Sequence, residues 1–502
     1  MSRPGREAKP HALLASAEAL ETFHEDVDYL WCGGSGSNSI IPVYDEPPSA
    51  IEFLRNHVSV SRPCIIRNSI RSSLQPKSQS QQPFCLTLDD LVSYNPDLEL
   101  FVDVTPDGHG DCLRYTKDAT TTAKETANPN SSQSQKIFVK PMERKMPIST
   151  FTKHLRQGRK QQILANNTAA AAADFNNDNH ILQQPDEETN FLEVDSAIKN
   201  RVFEIDNNCT TPTADDNEVD TAIGADVDID LDQCVLYYSR QNDCLRKELG
   251  SLWSQQQQQQ QKKEDDPSLT SFDATTTKNN KNDSSSLDLL FPRSFSWAEE
   301  AFGVSEPDAV NLWIGDERSV SSMHKDHYEN LFYVLQGEKV FTLCPPADAP
   351  FLYEQPVRSG KFVATTNTTT RNKKDKKMQL QWNVQLDHND ATSAAADHDD
   401  SAVWVHWIAA NVLDEKDLDE FPLLAHTHVF PQVRVQAGDM LYLPSLWFHR
   451  VTQTCETIGI NYWYDMKFES PSWCYFHLLQ QLQLTDDNDK RKQMPNKENP
   501  KE

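Results

Sequence analysis

The sequence predicts a mainly β protein with flanking helices and disordered inserts. Three observations carry this: a dense run of short strands in the C-terminal half, helical stripes near both ends, and four low-complexity interruptions. The strand candidates are Ala309–Ile314, Leu331–Leu335, Val340–Leu343, Met440–Leu443, Trp447–Val451 and Ile458–Tyr464. Each is rich in β-branched and aromatic residues and bounded by turn residues such as Gln336–Gly337. Regular short strands of this kind argue for a barrel or sandwich of the cupin or jelly-roll type.

The N-terminal part, residues 1–150, is expected to complete that fold. Leu13, Leu14, Ala17, Leu20 and Phe23 recur at helical spacing, as do Ile51, Phe53 and Leu54. The period then changes to two. Arg62–Asn68 and Leu98–Val104 read as strands, the second closed by the turn signal Thr105–Pro–Asp–Gly108. Trp473, Phe476, Leu479 and Leu482 form a final helical stripe at the end of the core region 287–484. A charged tail, 485–502, follows it and is expected to be disordered.

The interruptions are 117–135, the acidic segment 160–232, the Gln-rich segment 255–286, and about 358–402. Residues 233–254 rejoin the core between the second and third. Their polar composition cannot bury enough apolar surface to offset ordering entropy, so they read as disordered decorations of one fold. The formal charge is 48 − 75 = −27, but residues 171–232 alone hold 17 acidic and 2 basic residues, a net of −15. The charge therefore describes mainly an insert, and it argues against a direct nucleic-acid partner.

Ten cysteines lie scattered without a CxxC pair, which suits a reducing compartment. No apolar run is long enough to span a bilayer, and no signal peptide is read. The expected location is cytoplasmic and/or nuclear.

His324 and Asp326 form an HxD pair, and residues i and i+2 of a strand share one face, so both could ligate one ion. His449, in a later apolar strand, is the candidate third ligand. Two His and one carboxylate on one face of an octahedron leave positions open, as in non-haem Fe(II) oxygenases. Each residue alone also fits a structural role, because a lone His on a strand is more often a satisfied core residue. Lys339, fifteen positions after His324, either extends into water from an edge strand or faces the barrel interior and meets a carboxylate. Asn461 presents a similar choice.

The stretches Asn311–Gly315, Ser322–Asn330, Gly337–Phe341, Gly438–His449 and Asn461–Asp465 together resemble the JmjC hydroxylases, which are built on a double-stranded β-helix. More narrowly, with Arg62–Asn68, Val104–Gly108 and Pro141–Pro147, they resemble the lysyl (3S)-hydroxylases with proposed peptidase activity within that family. The resemblance implies Fe(II) held by His324, Asp326 and His449, with 2-oxoglutarate and O2 as co-substrates. It implies Lys339 as partner of the 2-oxoglutarate carboxylate, supported by Ser321, Asn330, Asn461 and Tyr237. Ser321 stands where the family has Thr. The implied reaction is hydroxylation of lysine in a protein or peptide, with a GTPase of the developmentally regulated type as possible target. Also implied is a homodimer formed through the C-terminal helix, although the same stripe could cap its own barrel. N-methyl-lysine demethylation, metal-dependent peptide hydrolysis and a non-catalytic cupin-like binding module are the rival readings.

Overall fold

The computed structural model describes residues 22–23, 25–27, 41–67, 69, 85–117, 135–174, 202–205, 229–250, 252, 291, 295–368, 378–388 and 402–481. Leu13, Leu14, Ala17, Leu20, Leu482, the tail 485–502 and the segment 255–286 lie outside them. The first half contains β1 (Val43–Tyr44), α1 (Ala50–Phe53), β2 (Cys64–Ile66), α2 (Leu88–Tyr94) and β3 (Glu99–Thr105). These lead to β4 (His109–Gly110), β5 (Cys112–Lys117), β6 (Gln135–Lys140), β7 (Met142–Pro147), α3 (Ile148–Asp174), β8 (Val202–Ile205), β9 (Val235–Tyr237) and α4 (Cys244–Lys247). The second half contains α5 (Ser296–Phe302), β10 (Ala309–Gly315), β11 (Val320–Lys325), β12 (Tyr328–Gln336), β13 (Glu338–Cys344), β14 (Glu354–Thr368) and β15 (Met378–Leu386). It ends with β16 (Trp404–Ile408), α6 (Asp417–Glu420), β17 (Phe430–Gln436), β18 (Met440–Leu443), β19 (Phe448–Gln453), β20 (Thr457–Asp465) and α7 (Pro471–Gln480).

Two sheets face each other and make the jelly roll. One has the order β1-β2-β18-β12-β20-β10, the other β17-β13-β19-β11-β4. The alternation of β12 shows how the sequence builds both sides. Phe332 and Val334 enter the interior with Phe341, Leu343, Val435, Leu441 and Leu443. Leu331 and Tyr333 point the other way, into a larger core shared with Phe53, Phe302, Tyr442 and Tyr462. The first sheet is thus buried on both faces, which is why β18 and β20 read as continuous apolar runs rather than alternating ones. Gly337 makes the β12–β13 turn at φ +76, and a Cβ there would lie 2.5 Å from the Glu456 carbonyl oxygen.

Several segments expected to be inserts contribute ordered structure. The span 358–402 carries most of the β14–β15 hairpin, paired without interruption from Gly360↔Leu386 to Thr368↔Met378. Its Phe362, Ala364, Trp382 and Val384 are buried in the core. Met378–Gln–Leu–Gln–Trp–Asn–Val–Gln–Leu386 alternates apolar and amide side chains with period two, a strand signal hidden by low-complexity composition. Inside 160–232, α3 continues to Asp174 through Ala169–Ala173, for alanine has the highest helix propensity and a low-complexity run of it is also a helix signal. The short β8 lies in parallel between β5 and β15, with Phe203 buried. These strands belong to a third sheet, β15-β8-β5-β6-β14-β16, and a small fourth sheet has the order β7-β3-β9.

The C-terminal helix turns its stripe inward. Phe476 and Leu479 are buried against Phe448, Leu352 and Phe421 of the same chain, with Trp473 partly buried beside them. The stripe therefore caps its own barrel. Its outward face carries the exposed apolar residues Tyr475 and Leu478.

Candidate metal and co-substrate site

β11 and β19 pair so that His324 lies directly opposite His449. A register irregularity between Ser321 and His324 re-aims the strand there, as bulges near functional sites do. Lys325, on the opposite face, pairs with Glu354 at 2.5 Å and lies over the rings of Phe448 and Phe476. His324 and Asp326 thereby share the inward side. Asp326 follows the end of β11, where its carbonyl accepts from the Leu446 amide at 2.8 Å, and its carboxylate lies 3.6 Å from His449 Nε2.

The donor set fits a metal ion. One ligand atom from each of His324, Asp326 and His449 lies within 4.8 Å of the others. Both imidazoles are held by their far nitrogens: His324 Nδ1 donates to the Ser322 carbonyl at 2.7 Å, and His449 Nδ1 to the Trp447 carbonyl at 3.0 Å. A carbonyl can only accept, so Nδ1 carries the proton and each Nε2 presents its lone pair to the centre. Burial, with His324 alongside, pushes the His449 pKa down to about 4, which keeps it neutral and able to ligate.

The cavity in front of this centre is lined by all eight residues the sequence singled out: His324, Asp326, His449, Lys339, Ser321, Asn330, Asn461 and Tyr237. Lys339 faces inward. It is 2% exposed, donates to the Tyr237 hydroxyl at 3.0 Å, and lies over the rings of Tyr237 and Phe332. Burial lowers its pKa to about 7. Asn461 Oδ1 accepts from Trp313 Nε1 at 3.0 Å, and the Ser321 hydroxyl bonds the Tyr237 phenol. The buried Asn330 Oδ1 and Trp463 Nε1 line the same cavity without a hydrogen-bond partner. Such orphaned groups suit a polar ligand, and a single inward cation suits an anionic one such as 2-oxoglutarate.

Sequence reading missed Trp407. Its ring is parallel to that of His324, 3° between planes with centroids 6.1 Å apart, and its Nε1 donates to Ser322 Oγ at 3.1 Å. Trp407 thus walls one side of His324. The aromatic run Trp404–Val–His–Trp407, immediately after a supposed insert, was the available signal. Glu329 was missed as well: it accepts from Tyr442 at 2.6 Å and Ser445 Oγ at 2.8 Å, tying β12 to the turn before β19.

Comparison with known proteins agrees with this geometry. The Cupin-like domain family matches residues 50–470. The chain is 27% identical over 443 residues to JmjC domain-containing protein E of Dictyostelium discoideum, covering 87% of each chain. It is 26% identical over 442 residues to the human bifunctional peptidase and (3S)-lysyl hydroxylase JMJD7, covering 88% of this chain and 89% of that one. Lysine-specific demethylase JMJ32 of Arabidopsis thaliana is 38% identical over 195 residues, 37% of this chain and 49% of the relative. With a jelly-roll interior and a His-Asp-His centre inside it, the chain belongs to the Cupin-like domain family and is an Fe(II)- and 2-oxoglutarate-dependent oxygenase of the JmjC kind.

Proposed function

We propose that the protein hydroxylates a lysine side chain of a protein substrate, with Fe(II) held by His324, Asp326 and His449. The observation that carries this reading is the convergence of those ligands with the inward Lys339 in one cavity. When bound, iron with 2-oxoglutarate and O2 supplies the oxidation of an unactivated C–H bond, which no side chain can perform alone. The chain's own residues do the rest. The Ser322 and Trp447 carbonyls fix the imidazoles in their ligating tautomer. Lys339 and Tyr237 receive the far carboxylate of the co-substrate, with Ser321, Asn330 and Asn461 around it. Phe332, Phe341 and Trp407 exclude water from the walls.

Lysine as substrate is supported by two relatives whose names specify it, a (3S)-lysyl hydroxylase and a lysine-specific demethylase. A translation-linked GTPase of the developmentally regulated type is the proposed target class. Self-association, if it uses the C-terminal helix, uses its outward residues Tyr475 and Leu478. A cytoplasmic or nuclear location accords with the absence of a disulfide among the described cysteines.

Product mass tests the reaction. The protein incubated with Fe(II), 2-oxoglutarate and lysine peptides should add one oxygen to lysine, whereas loss of a methyl group from N-methyl-lysine alone supports demethylation and chain cleavage supports a peptidase. His324→Ala, Asp326→Ala and His449→Ala should each reduce turnover by more than the ~10–100-fold typical of losing an outer-shell partner. Full turnover in any one removes that residue from the ligand set.

A further inference from the structure

Strand alternation on β12 sends Asn330 and Phe332 into the cavity and Glu329 to the opposite face, where Tyr442 of the main core lies. Its carboxylate collects three donors. One oxygen accepts from the Tyr442 hydroxyl at 2.6 Å and the Ser445 amide at 3.4 Å, the other from the Ser445 hydroxyl at 2.8 Å. Burial raises its pKa, and no cation pairs with it among the described residues. The acceptor capacity of this carboxylate is therefore given to one turn rather than to a charge partner.

That turn, Pro444–Ser–Leu–Trp447, joins β18 to β19 and supports two of the three metal-ligand candidates. Leu446 sits at φ +67, a left-handed conformation that a bulky side chain keeps only where its surroundings over-determine it. The Leu446 amide donates to the Asp326 carbonyl at 2.8 Å, and the Trp447 carbonyl accepts from His449 Nδ1 at 3.0 Å. The Trp447 indole is itself pinned by the Ser61 carbonyl at 2.8 Å. Glu329 thus grips the residue immediately before the one that holds Asp326. The segments 326–329 and 445–446 are joined twice, once at Asp326 and once at Glu329. His324 is held independently, by the carbonyl of Ser322 on its own strand and, through the Ser322 hydroxyl, by Trp407.

We propose that Glu329 is a positioning residue of the metal centre: through Ser445 it sets the 444–447 turn, and through that turn it sets how Asp326 and His449 face each other. It does not line the cavity and acts only through these neighbours. The role rests on the ligand set of the proposed function. Residues behind the ligands fix ligand direction, and losing one typically weakens metal binding by about 10–100-fold with every ligand still present. Loss of Glu329 should loosen two ligands and leave His324 as it was.

The test titrates the metal-free full chain with Co(II), read by its visible absorption bands, whose position and intensity report coordination geometry. Glu329→Ala removes the grip, and Ser445→Ala breaks the same contact from its other end. Each should weaken Co(II) binding about tenfold and shift the bands. The double variant should bind no more weakly than the worse single one, because both act through one contact. Glu329→Gln, which keeps the volume and one acceptor, should fall between Glu329→Ala and wild type. Phe203→Ala, a buried packing change in the third sheet, should lower the melting temperature and leave affinity and bands as in wild type. Should Glu329→Ala fail to fold, Ser445→Ala decides. Unchanged affinity and bands in the folded variants overturn the positioning role, as does an equal loss in Phe203→Ala, which would tie metal binding to general stability. Wild-type Co(II) binding by His449→Ala would overturn the ligand set itself, and the positioning role with it.

Discussion

Lys339 shows how one buried charge sets a pH response. In the empty pocket burial holds its pKa at about 7, so the ammonium is charged below that pH and neutral above it. A carboxylate requires the charged form and must draw a proton with it. Apparent affinity for 2-oxoglutarate should therefore fall by up to roughly tenfold per pH unit above about 7. Calorimetry at pH 8 in two buffers of different ionisation enthalpy should show uptake of close to one proton, and Lys339→Met should abolish it. A flat pH profile in wild type would mean the carboxylate docks elsewhere. The sign for folding is the converse: between pH 7 and the ordinary lysine range the unfolded chain binds the extra proton, so this residue's penalty on the empty fold shrinks as pH rises. His324, Asp326, His449 and Lys339 were singled out through the family resemblance, and strand alternation, which puts i and i+2 on one face, is consistent with their lining one cavity. Trp407 was not, because its position depends on the pairing of β16 with β14, which no local period encodes.

The β14–β15 hairpin and β8 make the corresponding point for elements. Thr-, Asn- and Gln-rich composition hides an alternation whose apolar half, Phe362, Trp382 and Val384, joins the main core. β8 supplies Phe203, whose ring packs edge-on against Phe362 at 5.1 Å while the Arg114 guanidinium lies over both. Phe203→Ala should accordingly cost about 3–5 kcal/mol in denaturant unfolding, the usual range for a buried Phe. Removing residues 256–284 should change stability little, since their composition offers almost no apolar surface. Equal, small effects from both changes would show that β8 is not part of the cooperative unit. The barrel strands β10, β12, β13, β18, β19 and β20 were readable from the sequence to within a few residues because each combines β-forming side chains with flanking turn chemistry, whereas β17 was not read. Elements that break that rule, such as an Ala-rich helix and the four-residue strand β8 within acidic sequence, were taken for loops.

For the molecule as a whole, α7 is a lid on its own barrel. Replacing Phe476 and Leu479 by Glu should destabilise the fold and lower the melting temperature by several degrees, each buried charge costing more than the lost apolar contact. A stable, soluble double variant of altered oligomeric state would show instead that these side chains serve an interface. The first jelly-roll sheet joins chain segments that are remote in sequence: Ile65 of β2 pairs with Leu441 of β18, a separation of 441 − 65 = 376 residues. On a ribosome adding about 5–20 residues per second, β2 waits roughly 20–75 s before its partner has even been made. Until then β2 has only β1 beside it, and its other edge and its apolar residues have no sheet to join. The protein's hazard thus lies in synthesis rather than in the finished fold. Slowed translation or a premature stop before Met440 should feed the aggregated fraction.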